Sequence, residues 1–106
     1  MKRVLLLSPY KGDIEANVAY AWECVLDSLR RREAPWASHL FYTQIMNDSD
    51  PAQRSLGFQC EAAWLPVAQL LAVYTDLGIS AGMAQTINRV SADPSLALPV
   101  ELRSIR

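Results

Sequence analysis

The sequence predicts an α/β domain built on a parallel sheet, and three observations carry that expectation. Two short, continuous apolar runs, "RVLLLS" (Arg3–Ser8) and "LLAVY" (Leu70–Tyr74), have the pattern of strands buried on both faces. Between and after them lie segments whose apolar residues recur at helical spacing. Strands and helices alternate along the chain, the order that parallel strands joined by crossover helices require. With 106 residues the chain makes one domain, residues 1–106, large enough to fold without staples.

Each element has its own signal. After the first strand, "PYKGD" turns the chain and Asp13 stands where a helix N-cap belongs. Ile14, Val18, Trp22, Val25, Leu26 and Leu29 then recur at three- and four-residue spacing, so an amphipathic helix is expected from about Ile14 to Arg32. The "RRRE" that closes it puts cations near the negative end of its dipole. A second strand is expected around Pro35–Ser38, followed by an irregular or short helical segment. In "NDSDPAQ", Asp50 as N-cap, Pro51 at the first helical position and Gln53 three residues after the cap read as a capping box. Leu56, Cys60, Ala63, Trp64, Val67 and Ala68 mark that helix, to about Ala68. "LLAVY" is the third strand. "SAGMAQTINRV" is a helix with Met83, Ile87 and Val90 on one face, "ADPSLAL" a loop and "PVELRSI" a final strand.

Composition narrows the function. Ten basic and eleven acidic side chains give a net charge of −1, which argues against a surface that tracks nucleic-acid phosphates. Cys24 and Cys60 lie inside helical patterns without metal-ligand spacing, and His39 completes no common zinc template with them. Both cysteines are expected to be buried, reduced and apolar in character. The apolar run of "MKRVLLLSPY" is too short for a signal-peptide core, and no segment approaches the length of a membrane span. A cytoplasmic location is the resulting expectation. No cofactor and no metal is expected: "NDSD" lacks the glycine and the terminal glutamate of a calcium loop.

In open parallel sheets, ligands bind beyond the carboxyl ends of the strands. That rule gathers three loops, "SPYKGD", "ASHLFY" and "YTDLGIS", and with them Ser8, Tyr10, Lys11, Gly12, Asp13, His39, Asp76 and Ser80. In "SAGM", Ser80 can cap the helix while the amides of Ser80–Met83 and the helix dipole face an anion. Gly82 would let the backbone approach that anion closely. A cap serving only its own helix is the plainer reading of the same residues. His39 is a donor or base, or a structural histidine. Asp76 is a ribose acceptor or a carboxylate nucleophile, or ordinary turn chemistry before Gly78. Arg54 reaches a ligand or pairs on the surface. "SPYKGD" lacks the glycine spacing and the Lys-Ser/Thr pair of a phosphate loop.

The segments "LLLSPYKGDIEANVAYA", "APWASHLFYTQIMNDSDPAQRSLGF", "AVYTDLGISAGM" and "PVELRSI" together resemble small bacterial and phage proteins related to the nucleoside 2-deoxyribosyltransferase-like superfamily. The resemblance implies a Rossmann-like three-layer sandwich, with a mainly parallel sheet of about four or five strands, that often forms dimers or higher homo-oligomers. It implies cleavage or exchange of the N-glycosidic bond of a nucleoside or its 5′-monophosphate. By the same resemblance, Ser80 and Gly82 match the serine and glycine that hold a 5′-phosphate. Tyr10 matches a tyrosine that supports the catalytic carboxylate or the sugar. The enzymes carry a nucleophilic glutamate four residues after that glycine; here the position is Thr86, and the acid usual before the third strand is Gln69. Asp76, Asp13 and Glu61 are the acids left to replace them, and Asp76 with Tyr10 makes the expected catalytic pair. A protein that binds a nucleotide or nucleotide-derived signal without turnover is the alternative that Thr86 favours.

Overall fold

The sheet is built from four strands, all parallel, in the order β2-β1-β3-β4. A computed structural model describes residues 1–106. The elements are β1 (Arg3–Leu7), α1 (Ile14–Arg30), β2 (Ala34–Trp36), α2 (Ser38–Phe41), α3 (Pro51–Trp64), β3 (Leu70–Tyr74), α4 (Ala81–Ala92) and β4 (Val100–Arg103). Val4 lies opposite Pro35 on one side and Leu70 on the other, and Leu71 lies opposite Val100. The chain leaves β1 toward β2, crosses back to β3 and continues outward to β4. The crevice where the direction reverses therefore opens at the carboxyl ends of β1 and β3.

Strand alternation divides the core into two layers. Val4, Leu6, Ala72 and Tyr74 face α1, meeting Tyr20, Ala21 and Cys24. Leu5, Leu7, Leu71 and Val73 face the other way and pack with Leu65, Met83 and Val90. Each central leucine contributes about 1.5–3 kcal/mol by leaving water. This three-layer arrangement is the one expected, and the N-cap of α1 is also as expected: Asp13 accepts from the Ala16 amide.

Several boundaries and one helix face differ from expectation. α1 ends at Arg30, because Arg32 takes a left-handed conformation (φ 63°) and turns the chain into β2. β2 spans Ala34–Trp36 rather than Pro35–Ser38, since Ser38 already begins α2. α3 stops at Trp64, where Pro66 converts the chain to a 3-10 turn over Leu65–Val67. The capping box expected at Asp50 does not form: Asp50 makes no side-chain cap bond, and the Gln53 carbonyl instead accepts from the Asn47 amide. On α1 the buried stripe is Asn17, Tyr20, Ala21, Cys24 and Ser28. Tyr20 and Asn17 reach the sheet side through hydrogen bonds, and the other three are small. The apolar residues Ile14, Trp22, Leu26 and Leu29 run along the next face, each about half exposed. Cys24 is buried as expected, while Cys60 is only partly covered; both are free thiols.

The edge strand β4 is fastened by a buried ion pair. The Arg103 guanidinium donates to both carboxylate oxygens of Glu33, at 2.8 and 2.7 Å, and Ser28 Oγ donates to the same carboxylate at 2.8 Å. Arg103 also donates to the Tyr74 hydroxyl at 3.1 Å. Hydrogen bonds from Arg103 hold Glu33 below the usual carboxylate range.

Candidate functional site

The crevice at the carboxyl ends of β1 and β3 is a cavity of about 290 Å3. Its walls come from the loop after β1, from α2, from the inward side of α3 and from the start of α4. Three local devices shape the first wall. Gly12 takes φ +113°, a left-handed conformation that lets the chain turn directly into the Asp13 cap. Buried Asn17 then donates to the carbonyls of Tyr10 and Lys11, at 3.0 and 3.3 Å, and fixes the loop from below. Tyr10 and Lys11 are thereby held at the cavity.

Ser8, at the end of β1, is buried, and its Oγ lies 2.7 Å from Nε2 of His39 on α2. Burial pushes the imidazole down to about 4, so His39 is neutral near pH 7, with one donor and one acceptor nitrogen. At the opposite wall, α4 begins with a working cap. Ser80 Oγ accepts from the Met83 amide at 3.2 Å, while the Ser80 amide donates to the Met83 sulfur. Arg54 from α3 lies against this helix start. Its guanidinium pairs with Asp48 at 2.8 Å and sits 5.1 Å above the Phe58 ring. A Cβ on Gly82 would meet Arg54 Nη2 and Phe58 Cζ, both at 3.3 Å. The glycine thus makes room for Arg54 and Phe58, a reason separate from the anion approach expected of it.

On the α3 wall lies Glu61, the one buried residue of that helix. Ser38 Oγ donates to its Oε2 at 2.8 Å, and Thr86 Oγ1 donates to its Oε1. Thr86, on α4, is itself buried. A carboxylate carried by α3 therefore meets a hydroxyl carried by α4.

Of the expected site residues, Ser8, Tyr10, Lys11, Gly12, His39, Ser80, Gly82 and Met83 line this one cavity. Asp76 does not, and its expected pairing with Tyr10 is not formed. Its carboxylate accepts from Ser104 Oγ at 2.6 Å, the Tyr20 hydroxyl at 2.6 Å, and the amides of Ile105 and Arg106 at 3.0 and 2.9 Å. Donors from Ser104 and Tyr20 hold it well below the usual carboxylate range. Asp76 is a latch for the C-terminal residues. Glu61, Thr86, Arg54, Phe58, Asp48 and Thr43 line it as well. Arg54, Phe58 and Glu61 lie four and three residues apart, a single helical stripe, and that spacing was the signal available for them. No three His, Cys, Asp or Glu side chains converge as a metal site, and no helix is long and apolar enough to cross a membrane.

Residues 2–98 match the model of a family described as Domain of unknown function (DUF7768). No curated protein matches the chain. Among solved structures, the fold is similar to a 2-deoxyribosyltransferase from the psychrotolerant bacterium Bacillus psychrosaccharolyticus. The two share a TM-score of 0.69 at 14% identity, over 96% of this chain and 72% of that one. That enzyme is described as a biocatalyst for the synthesis of nucleosides. At this identity the likeness shows a common Rossmann-like α/β fold.

Proposed function

From the chain, which belongs to the DUF7768 family, and from the cavity it carries, we propose a protein that binds a nucleoside or its 5′-monophosphate and cleaves or transfers the sugar at the N-glycosidic bond. One observation supports this reading above the others: a single cavity is lined both by a helix start, which would accept an anion, and by a carboxylate. The helix start is that of α4 at Ser80–Gly82, with Arg54 against it. The carboxylate is Glu61 at Thr86. From Gly82 to Thr86 the helix rises about 6 Å, which suits a sugar whose 5′-phosphate and anomeric carbon occupy the two places. Tyr10 and the neutral Ser8–His39 pair line the rest of the cavity and would contact sugar or base.

The test is a panel of nucleosides and nucleoside 5′-monophosphates, with free base measured by chromatography. The expected result is base release from at least one member, with Ser80→Asp losing the monophosphate substrates first. Neither base release nor a thermal shift from any member would remove the reading. Binding without turnover is the second reading, favoured by Thr86 standing at the position of the acid, and it predicts a thermal shift with no base released. The proposal includes a cytoplasmic setting, where the free thiols Cys24 and Cys60 stay reduced. It also includes a homo-oligomer, supported by the exposed Trp22, Leu26 and Leu29 on α1. Sedimentation reads that out, a monomer at all concentrations being the contrary result.

A further inference from the structure

We propose that Glu61 is the catalytic carboxylate of this cavity, delivered from α3, and that Ser38 and Thr86 are the residues that position it. The inference rests on the N-glycosidic reading and adds to it the group that does the chemistry.

The cavity offers few candidates. Two acids line it, Asp48 and Glu61. Asp48 is engaged in an ion pair with Arg54. Asp76 lies outside, with four donors on its two oxygens. Thr86 Oγ1 donates to Glu61, and a neutral hydroxyl is a weaker nucleophile than the carboxylate it faces. Ser8 faces a neutral imidazole whose low basicity does little to activate a hydroxyl. Glu61 is different in kind. It is buried, and its partners are two neutral hydroxyls, one on each oxygen. Each oxygen keeps a second lone-pair direction. The two donors come from different elements, α2 and α4, so the carboxylate plane is fixed from both sides. Its negative charge has no cation to answer it within these contacts, and a positive charge developing at an anomeric carbon would do so.

The step balances without a further reagent. A Glu61 oxygen forms a bond to the anomeric carbon as the carbon–nitrogen bond breaks. The electron pair of that bond leaves with the base, which takes a proton from water. Water, or the nitrogen of a second base, then attacks the same carbon, and the carboxylate departs with its electron pair restored. The attacking group loses its proton to solvent. Hydrolysis or transfer results according to which nucleophile arrives.

Glu61→Gln keeps the shape and leaves both hydroxyls a partner. It is expected to lower kcat for base release by about a thousandfold or more while binding of the monophosphate, measured by calorimetry, stays within about threefold. Thr86→Val keeps the carboxylate and removes one donor; it should lower kcat about 10- to 100-fold with KM little changed, the mark of lost positioning. A 2′-deoxy-2′-fluoroarabinosyl monophosphate, incubated with the wild-type protein, should leave its sugar phosphate on the peptide that contains Glu61. Base release by Glu61→Gln near the wild-type rate, or an adduct on another residue, overturns the assignment and leaves the N-glycosidic reading intact. Ligand binding with no base release by the wild-type protein overturns both. If Glu61→Gln does not fold, the Thr86→Val kinetics and the adduct still decide.

Discussion

Glu33 and Glu61 are both acids withdrawn from water, the first met by the guanidinium of Arg103 and the second by the hydroxyls of Ser38 and Thr86. Around Glu33 every charge has its counter-charge, and the cluster fastens an edge strand to the end of α1. Around Glu61 the donors are neutral and the cavity opens beside it. A fold that needs only to hold itself together neutralises a buried charge from within. A fold that keeps a carboxylate with hydroxyls alone, facing open space, retains electrostatic potential for something that enters.

The sharpest way to break this contrast is to remove the counter-charge. Arg103→Met leaves Glu33 without its cation, and we expect about 3–5 kcal/mol lower stability in urea unfolding. Glu61→Gln, by contrast, should cost no more than about 1 kcal/mol, since the hydroxyls can turn to accept as well as donate. Equal losses from the two substitutions would show that Glu61 is a structural anchor like Glu33.

A smaller effect separates the two regions by pH. His39, on the cavity side, has its ordinary value of 6.5 lowered to about 4, so the unfolded chain takes up the proton first as pH falls. Stability is therefore lost progressively from about pH 6.5 down to about pH 4, and His39→Gln should flatten that slope in thermal melts. Glu33 also has its value lowered, and its contribution is present above the ordinary carboxylate range and lost below it. The cavity thus responds in weak acid, the Arg103 cluster only in stronger acid. A midpoint above pH 6 for His39, read from imidazole NMR shifts, would contradict the enclosure of its ring.

The smallest expected effect concerns Gly82. An alanine there gains up to about 1 kcal/mol of helix propensity but presses Arg54 and Phe58 aside. Net stability should stay within about 1 kcal/mol of wild type, while affinity for the monophosphate falls as Arg54 is displaced. Unchanged affinity would detach Arg54 from the proposed anion site.

Much of this architecture was legible because it depends on local pattern. "VLLL" and "LLAVY" could only be strands in the middle of a sheet, and Asp13 and Ser80 cap the helices they precede. The inward face of α3 was not legible in the same way. Apolar spacing pointed to Leu56 and Trp64, which are about half exposed, whereas Glu61 points inward. A helix that lines a polar cavity inverts the usual code, because its inner stripe must carry the groups the cavity uses. Asp76 misled for a different reason: the partners that occupy it, Ser104 to Arg106, lie 28 to 30 residues away in sequence, and no local signal announces them. The same holds for Glu33, whose guanidinium partner is 70 residues distant.

Trp64 follows Glu61 by three residues on α3, with its ring 5.8 Å from that of Trp36 on β2 and its indole nitrogen donating to the Tyr42 hydroxyl. The helix that carries Arg54 and Glu61 thus carries a fluorophore at its far end, tilted 50° against a second one fixed to the sheet. Any tilt or slide of α3 as the cavity fills alters the spacing of two indoles. Trp22, exposed on α1, adds only a steady background. The unlabelled protein is its own optical gauge of occupancy, readable by intrinsic emission before any substrate is known.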